Sequence, residues 1–189
     1  MRPARFVSFL FALLVLTSAG QAFAVGQFGI RVGTGTSFYD TDADIEKEPD
    51  VFPFCIGAAY LLDLALVEVE VDALFWRNAA DYSGFEITED RLAVPVIGKV
   101  GLPLVPGLLS ASLGAGIEPR FHLATDPEPA NTDDIETTVF YVPIVLGANL
   151  DLQVTTVGVE LRYEHQLTDS VKDDDTRVHH LMFMAGVFF

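Results

Sequence analysis

The stretch from His179 to Phe189 constrains this chain more than any other. Its odd positions are His179, Leu181, Phe183, Ala185, Val187 and Phe189; its even positions are His180, Met182, Met184, Gly186 and Phe188. A β-strand sends alternate side chains to opposite faces. One face here is apolar from Leu181 to Phe189, and the other mixes small residues with a histidine. A soluble sandwich would hide such a strand inside a sheet. A closed barrel in a bilayer can instead turn the apolar face to lipid and pair this strand with the first. The rest of the chain must then supply seven more strands.

The first 24 residues read as a processing segment. Arg2 and Arg5 precede an apolar run from Phe6 to Leu16, and Ala22-Phe23-Ala24 has the small-x-small form of a cleavage site. That run spans about 16 Å as a helix, short of the roughly 30 Å hydrocarbon core. Residues 1–24 are therefore expected to be a signal peptide and residues 25–189 one barrel domain. Losing Arg2 and Arg5 takes the formal charge from −16 to −18. Such acidity argues against nucleic-acid partners, which are held by clustered Lys and Arg. The single cysteine, Cys55, excludes an intrachain disulfide. Val94 to Ile117 is mostly apolar but contains Pro95, Pro103, Pro106 and several glycines, so strand, turn, strand is expected there rather than one helix.

Eight alternating segments follow in order. They run over Phe28–Phe38, Phe52–Leu62, Val67–Trp76, Arg91–Leu102, Leu109–Leu123, Thr138–Leu150, Val157–Leu167 and His179–Phe189. In the third, Val67, Val69, Val71, Ala73 and Phe75 oppose Glu68, Glu70, Asp72, Leu74 and Trp76. In the seventh, Val157, Val159, Leu161 and Tyr163 oppose Gly158, Glu160, Arg162 and Glu164. Segments of this length suit strands that cross a bilayer at a tilt. The connections alternate. Turns near residues 63, 104 and 151 are short, whereas Asp40–Asp50, Asn78–Asp90, Asp126–Glu136 and Asp169–Thr176 read as polar loops. The fold class expected is all-β, an eight-stranded antiparallel up-and-down transmembrane barrel. A lipocalin-type barrel would point its apolar face inward, but the charged face here is too mixed to line a hydrophobic pocket.

The charges assigned to the lumen are Arg31, Lys99, Arg120 and Arg162 against Glu68, Glu70, Asp72, Glu118, Glu160 and Glu164. Eight strands leave room only for side chains, so these charges should pair into a plug rather than stand alone. A loop centred near Ser83 sets Glu68 opposite Lys99 and Trp76 opposite Arg91, and predicts a Glu68–Lys99 pair. A hairpin centred near Lys172 sets Glu164 opposite His180 and, outward near the rim, His165 opposite His179. That outward pair is a candidate for a metal or a lipid phosphate, with amphipathic rim residues the alternative.

The ending on Phe189, with Val187, Ala185, Phe183 and Leu181 at alternate positions, resembles the C-terminal signal of bacterial outer-membrane barrels, which the barrel-assembly machinery reads. Leu92-Ala-Val-Pro-Val-Ile-Gly-Lys99, Val142-Pro-Ile-Val-Leu-Gly-Ala-Asn149 and Tyr163-Glu-His-Gln-Leu-Thr-Asp169 are similar to segments of the OmpA-like superfamily. That resemblance covers Gly26 to Phe189. It implies a Gram-negative outer-membrane location, contact with lipid and lipopolysaccharide, and a monomer. Larger members add a peptidoglycan-binding domain, and here only the barrel is expected.

No catalytic group, cofactor or metal site is expected. A lipid A-modifying enzyme would need an outward His beside a Ser with an acid behind it, and His165, Thr168, Asp169 and Ser170 come nearest. A carrier of small hydrophobic compounds would need an apolar lumen. A structural, envelope-integrity or surface-interaction role remains the expectation.

Overall fold

The computed structural model describes residues 25–40, 50–64, 67–81, 86–126, 136–152, 154–168 and 177–189. The expected signal peptide and most of the four expected polar loops lie outside the described residues. The strands are β1 (Val25–Asp40), β2 (Asp50–Asp63), β3 (Glu68–Asp81), β4 (Glu86–Ala93), β5 (Val96–Val105), β6 (Leu109–Asp126), β7 (Thr138–Asp151), β8 (Thr156–Gln166) and β9 (Arg177–Phe188). All pairings are antiparallel between strands adjacent along the chain, except that β4 and β5 pair not with each other but each with β3 and β6, and β1 pairs with β9 to close the sheet. Because β4 and β5 are two halves of one strand, flanked by β3 and β6 alike, the result is a closed eight-stranded barrel. Closure satisfies the backbone groups that an open sheet would leave exposed at its edges.

The fourth segment departs from its expected continuity. Val94 and Pro95 interrupt the ladder because proline has no N–H to donate. The wall stays bonded, since Asp72 N donates to Pro95 O at 3.1 Å and Val94 N donates to Pro119 O at 3.0 Å. A second departure is length. Asn78–Asp90 was expected as loop, yet β3 and β4 stay paired past Arg77↔Asp90 to Asp81↔Glu86. Asn78-Ala-Ala-Asp81 and Glu86-Ile-Thr-Glu-Asp90 do not alternate cleanly between apolar and polar residues, so periodicity carries no strand signal there.

The short connections are tight turns. Leu64 N donates to Val67 O at 2.9 Å, and Leu152 N to Thr155 O at 2.8 Å. The β5–β6 turn closes with Leu108 N donating to Val105 O at 3.0 Å, and Gly107 takes φ of 71°, a left-handed value that favours glycine. At the other end of the chain, Phe28 and Phe189 exchange backbone hydrogen bonds of 3.2 and 2.7 Å, so the last residue completes the closing pair of strands.

The side chains divide by parity as the pattern implies. Phe28, Ile30, Leu113, Leu146, Leu161 and Phe183 project from the outer wall. Leu74, Trp76, Ile97, Val145, Met182 and Met184 fill the inside. Phe183, Val187 and Phe189 are exposed on the outer face of β9, with Leu181 and Ala185 part-exposed beside them. The apolar band ends at an outward ion pair above Phe75 and Leu92. There Arg77 Nε and Nη2 donate to Asp90 at 2.7 Å each, and these bonds hold the Asp90 carboxyl below the ordinary carboxylate range.

Candidate functional site

The inside of the barrel is charged, and it is built by parity. Among the described residues, Arg31, Arg91, Lys99, Arg120 and Arg162 are buried against Glu70, Asp72, Glu118, Glu160 and Glu164. Four of these cations pair with the five carboxylates, and the fifth, Arg91, pairs with half-buried Glu89. Each lies on an inward position of its strand, and the strands bring together groups that are far apart in sequence.

The tier toward the short turns centres on Glu160. Arg31 Nη1 donates to Glu160 Oε2 at 2.5 Å and its Nη2 to Oε1 at 2.8 Å, while Nη2 also donates to Glu70. Lys99 Nζ donates to Glu70 Oε2 at 2.7 Å and to Glu160. Arg162 Nη2 reaches Glu70 and Glu160 at 3.2 Å and Asp72 at 3.4 Å. Gly186 leaves the space that the Arg31 stem crosses, since a Cβ there would meet Arg31 Cγ and the Phe188 ring at 3.1 Å.

The tier toward the long connections centres on Arg120. Its Nε donates to Glu118 Oε1 at 2.5 Å and its Nη2 donates to Glu164. Its guanidinium lies 3.5 Å from the Trp76 ring centre and 4.0 Å from that of Tyr141. Cation and ring faces attract in such a stack. His180 is fully buried between the same rings, 5.4 Å from Trp76 and 5.5 Å from Tyr141, with Nδ1 2.6 Å from Ser37 Oγ. Above them Tyr141 OH donates to Gln166 Oε1 at 3.2 Å, and Arg91 Nη2 donates to Glu89 Oε1 at 2.5 Å. Arg162 Nη1, 3.9 Å from Glu118 Oε2, links the two tiers.

The expected Glu68–Lys99 pair needs correction. The two residues are partners in register, as Trp76 and Arg91 are. Lys99 nevertheless gives its Nζ to Glu70 and Glu160, while Glu68 is only half-buried. A lysine stem is long enough to cross a narrow lumen, and deeper inside it meets two carboxylates instead of one. Glu68 lines a cavity of about 300 Å³ at the short-turn end, together with Gln27, Asp63, Ser110, Asn149, Asp151 and Thr156. The remaining expected lumen charges all lie inside the network.

Three features were not anticipated. Arg91 was read as inward but not grouped with the lumen charges, although its register with Trp76 pointed there. The box that Trp76, Tyr141 and Arg120 form around His180 comes from strands β3, β6, β7 and β9, and no hairpin register links them all. Cys55 Sγ lies 3.6 Å from Met184 Sδ, a contact between inward residues that both face Gly33.

On the outer wall, His165 and His179 stack at 4.7 Å with planes 7° apart, and Tyr163 stacks on His179 at 6.1 Å. Thr168 Oγ1 accepts a hydrogen bond from Phe140 N at 2.9 Å. Asp169 and Ser170, the other members of the nearest serine–histidine arrangement, lie outside the described residues.

No family model matches the chain, and no curated protein matches it in sequence. Solved structures do match in shape. Neisserial surface protein A (NspA) is 12% identical with a TM-score of 0.57, covering 86% of this chain and 97% of its own. The outer membrane enzyme PagL is 9% identical with a TM-score of 0.54, covering 84% of this chain and 97% of its own. At these identities the likeness is one of fold, and it sets this closed eight-stranded antiparallel barrel among the architectures of outer-membrane proteins.

Proposed function

We propose that the protein is an integral outer-membrane barrel of the OmpA-like kind, in which the lumen is a structural core and the polar long-loop end carries the biological role. The observation that carries this reading is the combination of an apolar outer wall with a buried lumen in which five cations and five carboxylates each have an opposite charge beside them. An apolar wall is stable against lipid, and a charged interior tolerates burial only when it is paired. The role is envelope integrity or surface interaction, and the working unit is the monomer.

The reading assigns the barrel no catalysis and no carriage of hydrophobic compounds. The charged lumen offers apolar cargo no lining. Cell fractionation of the full chain tests the location. The protein should reach the outer membrane and run as a heat-modifiable band, folded before boiling and unfolded after. Recovery in the soluble fraction, or release of acyl chains from lipid A by the refolded protein, would overturn the reading.

A further inference from the structure

We propose that the outward His165–His179 pair holds the phosphate of a lipid headgroup. The inference rests on the outer-membrane reading and adds a ligand to the outer wall. The pair is a cross-strand neighbour set by the β8–β9 register, which also aligns Tyr163 with Leu181 and Glu164 with His180. From Val157, near the short-turn end, to His165 the strand climbs about 27 Å at roughly 3.4 Å per residue. At the usual tilt that is about 20 Å of depth, close to the edge of an apolar band about 25 Å tall. Below the pair on the same face are Tyr163, Leu161 and Phe183, which belong against acyl chains. Beyond it on β9 stands exposed Arg177, opposite Asp40 of β1 in register. The pair thus stands at the upper edge of the band, with Phe38, the register partner of His179 on β1, and Leu167 exposed beside it.

The ring geometry selects the ligand. A metal lies in the plane of each imidazole that binds it, because the lone pair lies in that plane. Planes only 7° apart in a stack 4.7 Å deep do not share such a point. A phosphate presents several oxygens, so each ring can donate an N–H in its own plane to a different oxygen. Tyr163, stacked on His179 with planes 27° apart, holds the column from below.

The test compares wild type with the double variant His165→Phe/His179→Phe, which keeps two stacked rings at the rim and removes their N–H donors. Both are refolded in octyl glucoside and checked for heat-modifiable migration. Each is titrated with diphosphoryl lipid A, dephosphorylated lipid A, inorganic phosphate and zinc. Wild type should bind the phosphorylated lipid about tenfold more tightly than the dephosphorylated one, the size of a charge-assisted hydrogen bond. The double variant should bind the two alike. Equal binding by wild type, or undiminished discrimination by the variant, would overturn the proposal. Inorganic phosphate binding as tightly as the lipid would reassign the site to the free ion, and zinc binding lost in the variant would reassign it to a metal. A wild type that inserts into micelles but does not discriminate refutes the headgroup site alone; one that never inserts takes the outer-membrane reading down with it.

Discussion

Glu160 and Glu70 are the two carboxylates on which the short-turn tier converges, each accepting from Arg31, Lys99 and Arg162. Removing one member of a buried ion network leaves the others uncompensated, a loss of about 3–5 kcal/mol. Glu160→Ala should destabilise the refolded barrel by that amount in urea, whereas Glu68→Ala, at the half-buried mouth, should cost little. A double-mutant cycle separates the partners of Lys99. Lys99→Ala with Glu160→Ala should be strongly coupled, and Lys99→Ala with Glu68→Ala nearly additive. Coupling confined to Glu68 would contradict the geometry described here. Parity alone assigned Arg31, Glu70, Asp72, Lys99, Glu118, Arg120, Glu160, Arg162 and Glu164 to the inside, because a strand allows only two faces. It did not assign partners. A long side chain reaches across the barrel, and strands that face one another there are not linked by any one turn. The Arg120 stack on Trp76 and Tyr141 was hidden for the same reason.

At the scale of the strand, Leu161 and Phe183 are register partners on the outer wall of β8 and β9. Arginine at either site should cost roughly 2–4 kcal/mol near the bilayer midplane, measured by refolding into vesicles. Gly158→Arg, on the inner face, should act through crowding, because even a Cβ there would come within 2.8 Å of Asn149 Oδ1. Spin labels at the two outer sites that report water would show the faces to be reversed. Phe189 tests assembly separately. Its backbone closes the barrel against Phe28, so Phe189→Asp should leave export intact and reduce the heat-modifiable protein reaching the outer membrane. Strand identity was legible wherever one face was apolar. It failed at Asn78–Asp81 and Glu86–Asp90, where apolar and polar residues do not alternate cleanly, and at Val94–Pro95, where a missing N–H interrupts the ladder without changing which way the neighbouring side chains point.

For the molecule as a whole, two linked tiers of ion pairs fill the bore between the Glu68 mouth and the Gln166 cap. Wild-type protein in planar bilayers should therefore show no large, steady channels, and Arg31→Ala or Arg162→Ala should raise leak as they lower stability. Large wild-type openings would refute the plug. Architecture was the most legible level of all, since eight alternating segments with alternately short and long connections admit few topologies. The role of the long-loop end was the least legible, because solvated polar stretches carry no periodicity from which a partner could be read.

The balance of five buried cations and five buried carboxylates also shapes the field outside the protein. The ten buried charges cancel, so the charge of −18 on the chain from Val25 onward comes from its other ionisable residues. Asp63, Glu68 and Asp151 stand at the short-turn end, while β1, β2, β3, β4 and β6 meet the long connections at Asp40, Asp50, Asp81, Glu86 and Asp126. Among the described residues the excess negative charge therefore stands at the strand ends, more of it at the long-connection end. Screening should act most at that end. As ionic strength rises from 0.01 M to 1 M the Debye length falls from about 30 Å to about 3 Å. Counter-ion accumulation at the long-loop end should collapse over that range, while urea unfolding of the trunk stays nearly constant.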